Sequence, residues 1–194
     1  MAKVRIGNQC VLLVVDAQVD VVKGAWEAAR AVGKMVVAVE RARTQGVPVI
    51  WVQHADEDLV QDSPGWQWTP ELVPATDELR VHKQYNSAFE QTPLEDALAQ
   101  RGITHIVLVG CATNWCIRAT AYAALERGYD LTLVSDAHTT KSMSLEDGTT
   151  LDAATLVHDL NTTMTWLAYP GRKNTTVPAQ TLNFTDPGRA SQRA

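Results

Sequence analysis

Three times along the chain a helical stretch runs into a glycine and a β-branched segment begins at once. The junctions are Arg43-Thr44-Gln45-Gly46-Val47-Pro48-Val49-Ile50, Ala99-Gln100-Arg101-Gly102-Ile103-Thr104-His105-Ile106 and Leu125-Glu126-Arg127-Gly128-Tyr129-Asp130-Leu131-Thr132. A helix stops readily on a left-handed residue, and glycine adopts that conformation without a Cβ penalty. A helix that returns directly to a strand, over and over, is the pattern of βαβ units and so of a parallel sheet. The segments expected as strands agree. Cys10–Asp16, Pro48–Gln53, His105–Val109 and Leu131–Ser135 are apolar throughout rather than alternating, as strands covered on both faces are. A weaker strand is expected near Thr175–Pro178 and a short one around Arg80–Lys83. Helices are expected over Ala25–Thr44, Pro93–Arg101, Thr113–Arg127 and Thr149–Ala168. Thr92-Pro93-Leu94-Glu95 reads as a capping box with proline in the first turn, and Thr149-Thr150-Leu151-Asp152 as a weaker one.

With 194 residues, 45% of them apolar and 20% charged, the sequence predicts a single globular domain over 1–194, fraying at 185–194. A net charge of −5 without a basic stripe argues against nucleic acid and against a charged membrane surface. The longest apolar runs, such as Val11 to Val15, are too short for a bilayer, and Met1-Ala2-Lys3-Val4-Arg5 lacks the apolar core of a secretory signal. A cytoplasmic protein is expected. The 3 cysteines, Cys10, Cys111 and Cys116, have no CxxC spacing, which suits reduced thiols better than a disulfide framework or structural zinc. The one long irregular stretch, His54 to Leu79, contains Trp66 and Trp68 and reads as an ordered flap over a pocket.

Ligands of an open parallel sheet bind beyond the carboxyl ends of its strands, where strand order reverses. Asp16 closes the first strand, Cys116 follows the strand ending at Val109, and Lys83 precedes the loop into the helix at Pro93. Taken singly, each has an ordinary structural use: an Asp caps a helix, a Lys is solvated, a Cys packs as a small apolar group. Together an acid, an ammonium and a thiol make a nucleophilic site. The carboxylate takes the thiol proton and later returns it to a leaving amine, while the ammonium stabilises both anions. Cys116 stands at a strand-to-helix junction, where backbone N–H groups and the helix dipole are expected to pull its pKa below about 8.5 and to cradle an oxyanion.

Val15-Asp16-Ala17-Gln18, Lys83 with Ser87-Ala88-Phe89, Gly110-Cys111-Ala112-Thr113-Asn114-Trp115-Cys116 and Ser135-Asp136-Ala137 resemble the isochorismatase-like cysteine hydrolases, in order and over nearly the whole chain. The resemblance implies an α/β fold, a three-layer αβα sandwich around a six-stranded, mainly parallel sheet. It implies catalytic Asp16, Lys83 and Cys116, a cis peptide at Cys111–Ala112, and an oxyanion hole from the backbone N–H groups of Ala112 and Cys116. It also implies acyl transfer through a thioester, no cofactor, a small-molecule substrate and a homo-oligomer. Gln18, Trp115, Phe89 and Trp66 are the residues expected to touch that substrate.

Isochorismatases proper, which cleave a vinyl ether, characteristically lack the cysteine, so its presence favours cleavage of a C–N bond in a small amide or carbamoyl compound. Nicotinamidases carry an Asp/His metal cluster after the second strand. Here that place reads Gln53-His54-Ala55-Asp56-Glu57-Asp58, without Asp-x-His or a matched second histidine, and no metal is expected. His138 is assigned at most a supporting place behind the pocket. The rival classes are a nicotinamidase-like or isochorismatase-like hydrolase of another metabolite, and a doubly wound binding module without catalysis. A receiver module has paired acids after its first strand and a nucleotide module a glycine-rich loop; Ala17 and Gln18 supply neither.

Overall fold

In the computed structural model, which describes residues 5–185, helices cover both faces of a six-stranded sheet. The strands are β1 (Gln9–Val15), β2 (Val49–His54), β3 (Leu79–Lys83), β4 (Ile103–Cys111), β5 (Asp130–Thr139) and, after a two-stranded hairpin of β6 (Met143–Ser144) and β7 (Thr150–Leu151), β8 (Asn174–Val177). Their order is β3-β2-β1-β4-β5-β8, and every pairing in this sheet is parallel. The chain winds outward one way from β1 and the other way from β4, so the reversal lies between those two strands, as the sequence suggests.

Strand periodicity divides the core. Val11, Leu13 and Val15 join Ile50, Val52, Ile106 and Leu108 beneath α3 (Leu94–Gln100), α4 (Arg118–Glu126) and α5 (Ala153–Trp166). Leu12 and Val14 join Trp51, Val107 and Val109 beneath α2 (Ala28–Thr44), which follows the single turn α1 (Val19–Val22). The five residues Val11 to Val15 are fully buried, each contributing about 1.5–3 kcal/mol of apolar burial. Gly46, Gly102 and Gly128 have φ of +67°, +61° and +94°, the left-handed stops that the three junctions require.

Several boundaries differ from the sequence reading, each for a local reason. Glu27 is left-handed, so α2 starts at Ala28 rather than Ala25. Thr92 Oγ1 does accept from Leu94 N at 3.3 Å, but Glu95 does not close the capping box; it pairs with Arg5 and, at 3.1 Å, with Arg127. The last helix starts at Ala153 instead of Thr149, because Thr150 and Leu151 pair with Ser144 and Met143 and the capping acceptor is Asp152, 3.0 Å from Thr155 N. β5 runs on to Thr139 past an irregularity in its pairing with β4, which resumes at Gly110 opposite His138.

Residues 55–78 form no strand beyond the isolated Gln18–Trp68 bridge. They are laced to the chain after β1: Thr69 N donates to Ala17 O (3.0 Å), Val19 N to Gln67 O (2.9 Å) and Asp20 N to Gly65 O (3.0 Å). Trp68 meets Trp51 edge-on at 5.1 Å, filling the α2 face of the sheet. Of the tail expected to fray, only Thr185 is among the described residues. No helix among them is long and apolar enough to cross a membrane.

Candidate active site

Asp16 leaves β1 with φ +50°, a sparsely populated conformation for a residue with a Cβ, and its N–H donates to Val52 O at 2.9 Å. Next to it β4 reaches Gly110, whose φ is +130°; a Cβ there would fall 1.9 Å from Val15 O, so the close approach of the two strands demands glycine. The Cys111–Ala112 peptide bond is cis. The chain then coils into a wide turn, Thr113–Ile117, in which Ala112 O accepts from Trp115 N at 3.1 Å and Ile117 N at 3.2 Å. Only after this π-turn does regular α4 begin, where the sequence predicts one continuous helix.

The turn delivers Cys116 beside the ends of β1 and β3. Lys83 Nζ lies 2.7 Å from Asp16 Oδ2 and 3.3 Å from Cys116 Sγ. Asp16 is 1% exposed, Lys83 3% and Cys116 9%, so the three groups meet almost out of water. The Asp16–Lys83 contact is an ion pair, and the Cys116 thiol is the other polar group against this carboxylate. On its open side Cys116 Sγ lies 3.8 Å from Asn86 Oδ1. A cavity of about 220 Å³ borders β3 nearby, but it meets Lys83 only through the backbone, since the side chain is 0% exposed.

Burial pushes the Asp16 carboxyl above its ordinary value, with the charge of Lys83 opposing. Burial, and next the charge of Asp16, push the Cys116 thiol up to about 12. The expectation of a lowered thiol pKa is therefore corrected. Cys116 lies in the second half of a π-turn rather than at a helix start, and desolvation outweighs both dipole and ammonium. One buried ammonium balances one buried anion, and a second anion there has no counter-charge. The Asp16 charge therefore disfavours a thiolate at Cys116, and the Lys83 ammonium is the one counter-charge the two groups share.

The substrate-contact expectations divide. Trp115, beside Cys116, is 51% exposed. Phe89 is core: its ring stacks on Tyr129 at 5.9 Å with the Arg127 guanidinium 5.0 Å from its centroid, and Tyr129 leads into β5 at the opposite end of the sheet. Trp66 stacks on His82 at 5.6 Å; neighbouring strand residues point to opposite faces, which sets it across the sheet from the Lys83 side chain. Gln18 is fully buried. Its amide nitrogen donates to His54 O (3.0 Å) and Trp66 O (2.9 Å), and its oxygen accepts from His54 N (2.9 Å), so it fastens the flap.

Sequence reasoning gave too little weight to two polar groups. His54, met there only within a stretch that lacks the metal pattern, ends β2 and places Nδ1 3.3 Å from Lys83 Nζ. Its position at a strand end on the ligand edge was the available signal. His138 lies behind the turn: Nδ1 is 2.9 Å from Thr113 Oγ1 and Nε2 is 3.1 Å from Asn161 Oδ1, while Asn161 Nδ2 donates to Ser135 O. That pattern makes Nε2 the donor and Nδ1 the acceptor of a neutral ring, whose pKa burial lowers to about 4. Among the described residues no group of three or more His, Cys, Asp or Glu could hold a metal ion.

The fold has known counterparts. The isochorismatase domain family matches residues 10–166, a span that takes in Asp16, Lys83 and Cys116. Streptothricin hydrolase from Streptomyces noursei is 34% identical over 144 residues, 71% of this chain and 57% of that protein. Maleamate amidohydrolase from Pseudomonas putida is 35% identical over 89 residues, 45% of this chain and 42% of that one. The chain thus spans about half the length of the curated relatives it matches. In shape, it is similar to a putative isochorismatase hydrolase from Oleispira antarctica (TM-score 0.80, 26% identity, 89% of this chain and 95% of that one). It is also similar to a cysteine hydrolase from Pseudomonas syringae pv. phaseolicola (TM-score 0.81, 21% identity, 93% and 95%), a likeness of fold. By the extent of the domain match and by its sheet order, the chain belongs to the isochorismatase-like hydrolase family.

Proposed function

We propose that this protein is a cysteine-dependent amidohydrolase that cleaves the C–N bond of a small amide or carbamoyl compound through a thioester. The observation that carries the reading is the buried contact of Lys83 Nζ with Asp16 Oδ2 at 2.7 Å and Cys116 Sγ at 3.3 Å. In this reading the thiol proton moves to Asp16 as Sγ attacks the carbonyl carbon. Transfer from thiol to carboxylate leaves the buried charge total unchanged, which a raised thiol pKa does not prevent. The N–H groups of Ala112 and Cys116 receive the developing oxyanion, each such donor being worth about 3 kcal/mol. Asp16 then gives the proton to the leaving nitrogen, and the C–N bond breaks to release ammonia or an amine. Water, deprotonated by the same carboxylate, attacks the thioester and frees the acid and the thiol. Lys83 keeps its charge throughout, and no step calls for a cofactor. Relatives named as streptothricin hydrolase, maleamate amidohydrolase and ureidoacrylate amidohydrolase support C–N chemistry. A homo-oligomer in the cytoplasm belongs to the same reading.

The test is amine release from a panel of small amides and carbamoyl compounds, with detection of the acyl-enzyme by mass spectrometry. Wild type should turn over at least one compound. Cys116→Ala and Lys83→Met should lose at least about a thousandfold in rate with unchanged circular dichroism. Wild-type turnover by Cys116→Ala would remove the thioester from the reaction.

A further inference from the structure

We infer that His54 is a positioning residue for the Lys83 ammonium, held in one tautomer by Asp56, so that the chain Asp56–His54–Lys83 sets the reactivity of the Cys116 thiol. The inference rests on the reading of Asp16, Lys83 and Cys116 as one nucleophilic site, and it adds a fourth and fifth residue to that site.

An ammonium has three N–H bonds and no acceptor capacity. Buried at Lys83, it faces three partners: Asp16 Oδ2 at 2.7 Å, Cys116 Sγ at 3.3 Å and His54 Nδ1 at 3.3 Å. Nδ1 must be the acceptor, since Lys83 only donates, and the ring proton is thereby assigned to Nε2. Nε2 lies 2.8 Å from Asp56 Oδ2, where that proton is donated to a carboxylate. The carboxylate is itself fixed, because Asp56 Oδ1 accepts from Asp58 N at 3.0 Å and from Leu59 N at 2.7 Å. The backbone is fixed too, through the Gln18 oxygen on His54 N at 2.9 Å. The hydrogen bond from His54 lowers the Asp56 pKa, so the carboxylate is ionised at neutral pH and keeps the ring turned.

A second-strand His followed at two residues by Asp has the composition of a metal site, yet both groups are committed: the imidazole spends one nitrogen on an ammonium and the other on the carboxylate. A cation cannot share Nδ1 with the Lys83 ammonium. What the pair provides is a lone pair aimed at Nζ, which keeps the third N–H satisfied where water does not reach. Without it the ammonium loses a partner and swings away from the thiol, and the thiolate loses its counter-charge.

Thiol reactivity and ring tautomer test this without any substrate. Peptide-resolved iodoacetamide labelling at pH 7.5 separates Cys116 from Cys10 and Cys111. His54→Ala should slow Cys116 labelling about tenfold, the equivalent of one pKa unit. His54→Asn, whose side-chain oxygen stands where Nδ1 stood, should restore it to within about threefold of wild type. Equal labelling in wild type and His54→Ala would overturn the inference, as would equal slowing by Ala and Asn. The folded wild type supplies the second measurement: ring ¹⁵N shifts should report His54 protonated at Nε2 and accepting at Nδ1, and the Nδ1–H tautomer would overturn it. Lys83→Met is the control on the underlying reading. If that variant labels like wild type, the ammonium does not serve the thiol and the proposed mechanism fails. If it slows while His54→Ala does not, only the role of His54 is lost.

Discussion

Gly110 has no side chain, and the site depends on that lack. It lets the end of β4 pass against Val15 O at a distance no Cβ tolerates, and so brings the turn bearing Cys116 beside Asp16. Gly110→Ala would force backbone against backbone and place alanine at φ +130°, so a loss of about 3 kcal/mol or more is expected in urea denaturation. The loss should exceed that of Gly46→Ala, whose Cβ would meet nothing within 4 Å and carries only the conformational penalty. At this scale the sequence was legible where chemistry and spacing coincide: Asp16, Lys83 and Cys116 could be named before any coordinates. Side-chain commitments were not legible. Phe89 and Trp66 sit near the motif in the chain, but their rings are claimed by Tyr129 and His82, and aromatic character alone does not say which neighbour wins.

Helices and strands report how local signals fare once neighbours arrive. The glycine stops held, because a left-handed residue after a helix is a requirement of the backbone itself. Caps were less secure, since a polar side chain has several suitors. Glu95 bonds to Arg5 and Arg127 rather than back to Thr92, and Asp152 takes the capping place from Thr149 because the intervening residues pair in the β6–β7 hairpin. Asp152→Ala should therefore cost about 1 kcal/mol of stability, while Thr149→Ala should cost little; thermal melts of the two variants decide between the sites. The π-turn escaped notice because its composition is that of an ordinary helix start. The long-range bond from Thr113 to His138 that stands behind it is not something a helical pattern records.

For the molecule as a whole, acid is the informative stress. His138 holds off its proton until about pH 4 when folded, whereas an unfolded histidine takes it near its ordinary value of 6.5. Between those values the unfolded chain binds the additional proton, so stability is full above about 6.5 and drains as pH falls toward 4, by up to about 3 kcal/mol. Glu78 and Glu95, lowered by the pairing carboxylates gain from Arg43 and Arg5, add a further loss below their ordinary 4.5. Asp16, raised by burial, has the opposite sign and lightens the acid loss. Urea midpoints of wild type should fall from pH 7 to pH 4.5, and His138→Gln should flatten that decline. A wild-type slope in the variant would acquit the histidine.

Gln18 carries a further consequence. By gripping Trp66 and His54 it rivets the tryptophan-bearing crossing to the residue two places past Asp16. Lifting that crossing would pull directly on the stretch of chain that seats Asp16 against Lys83.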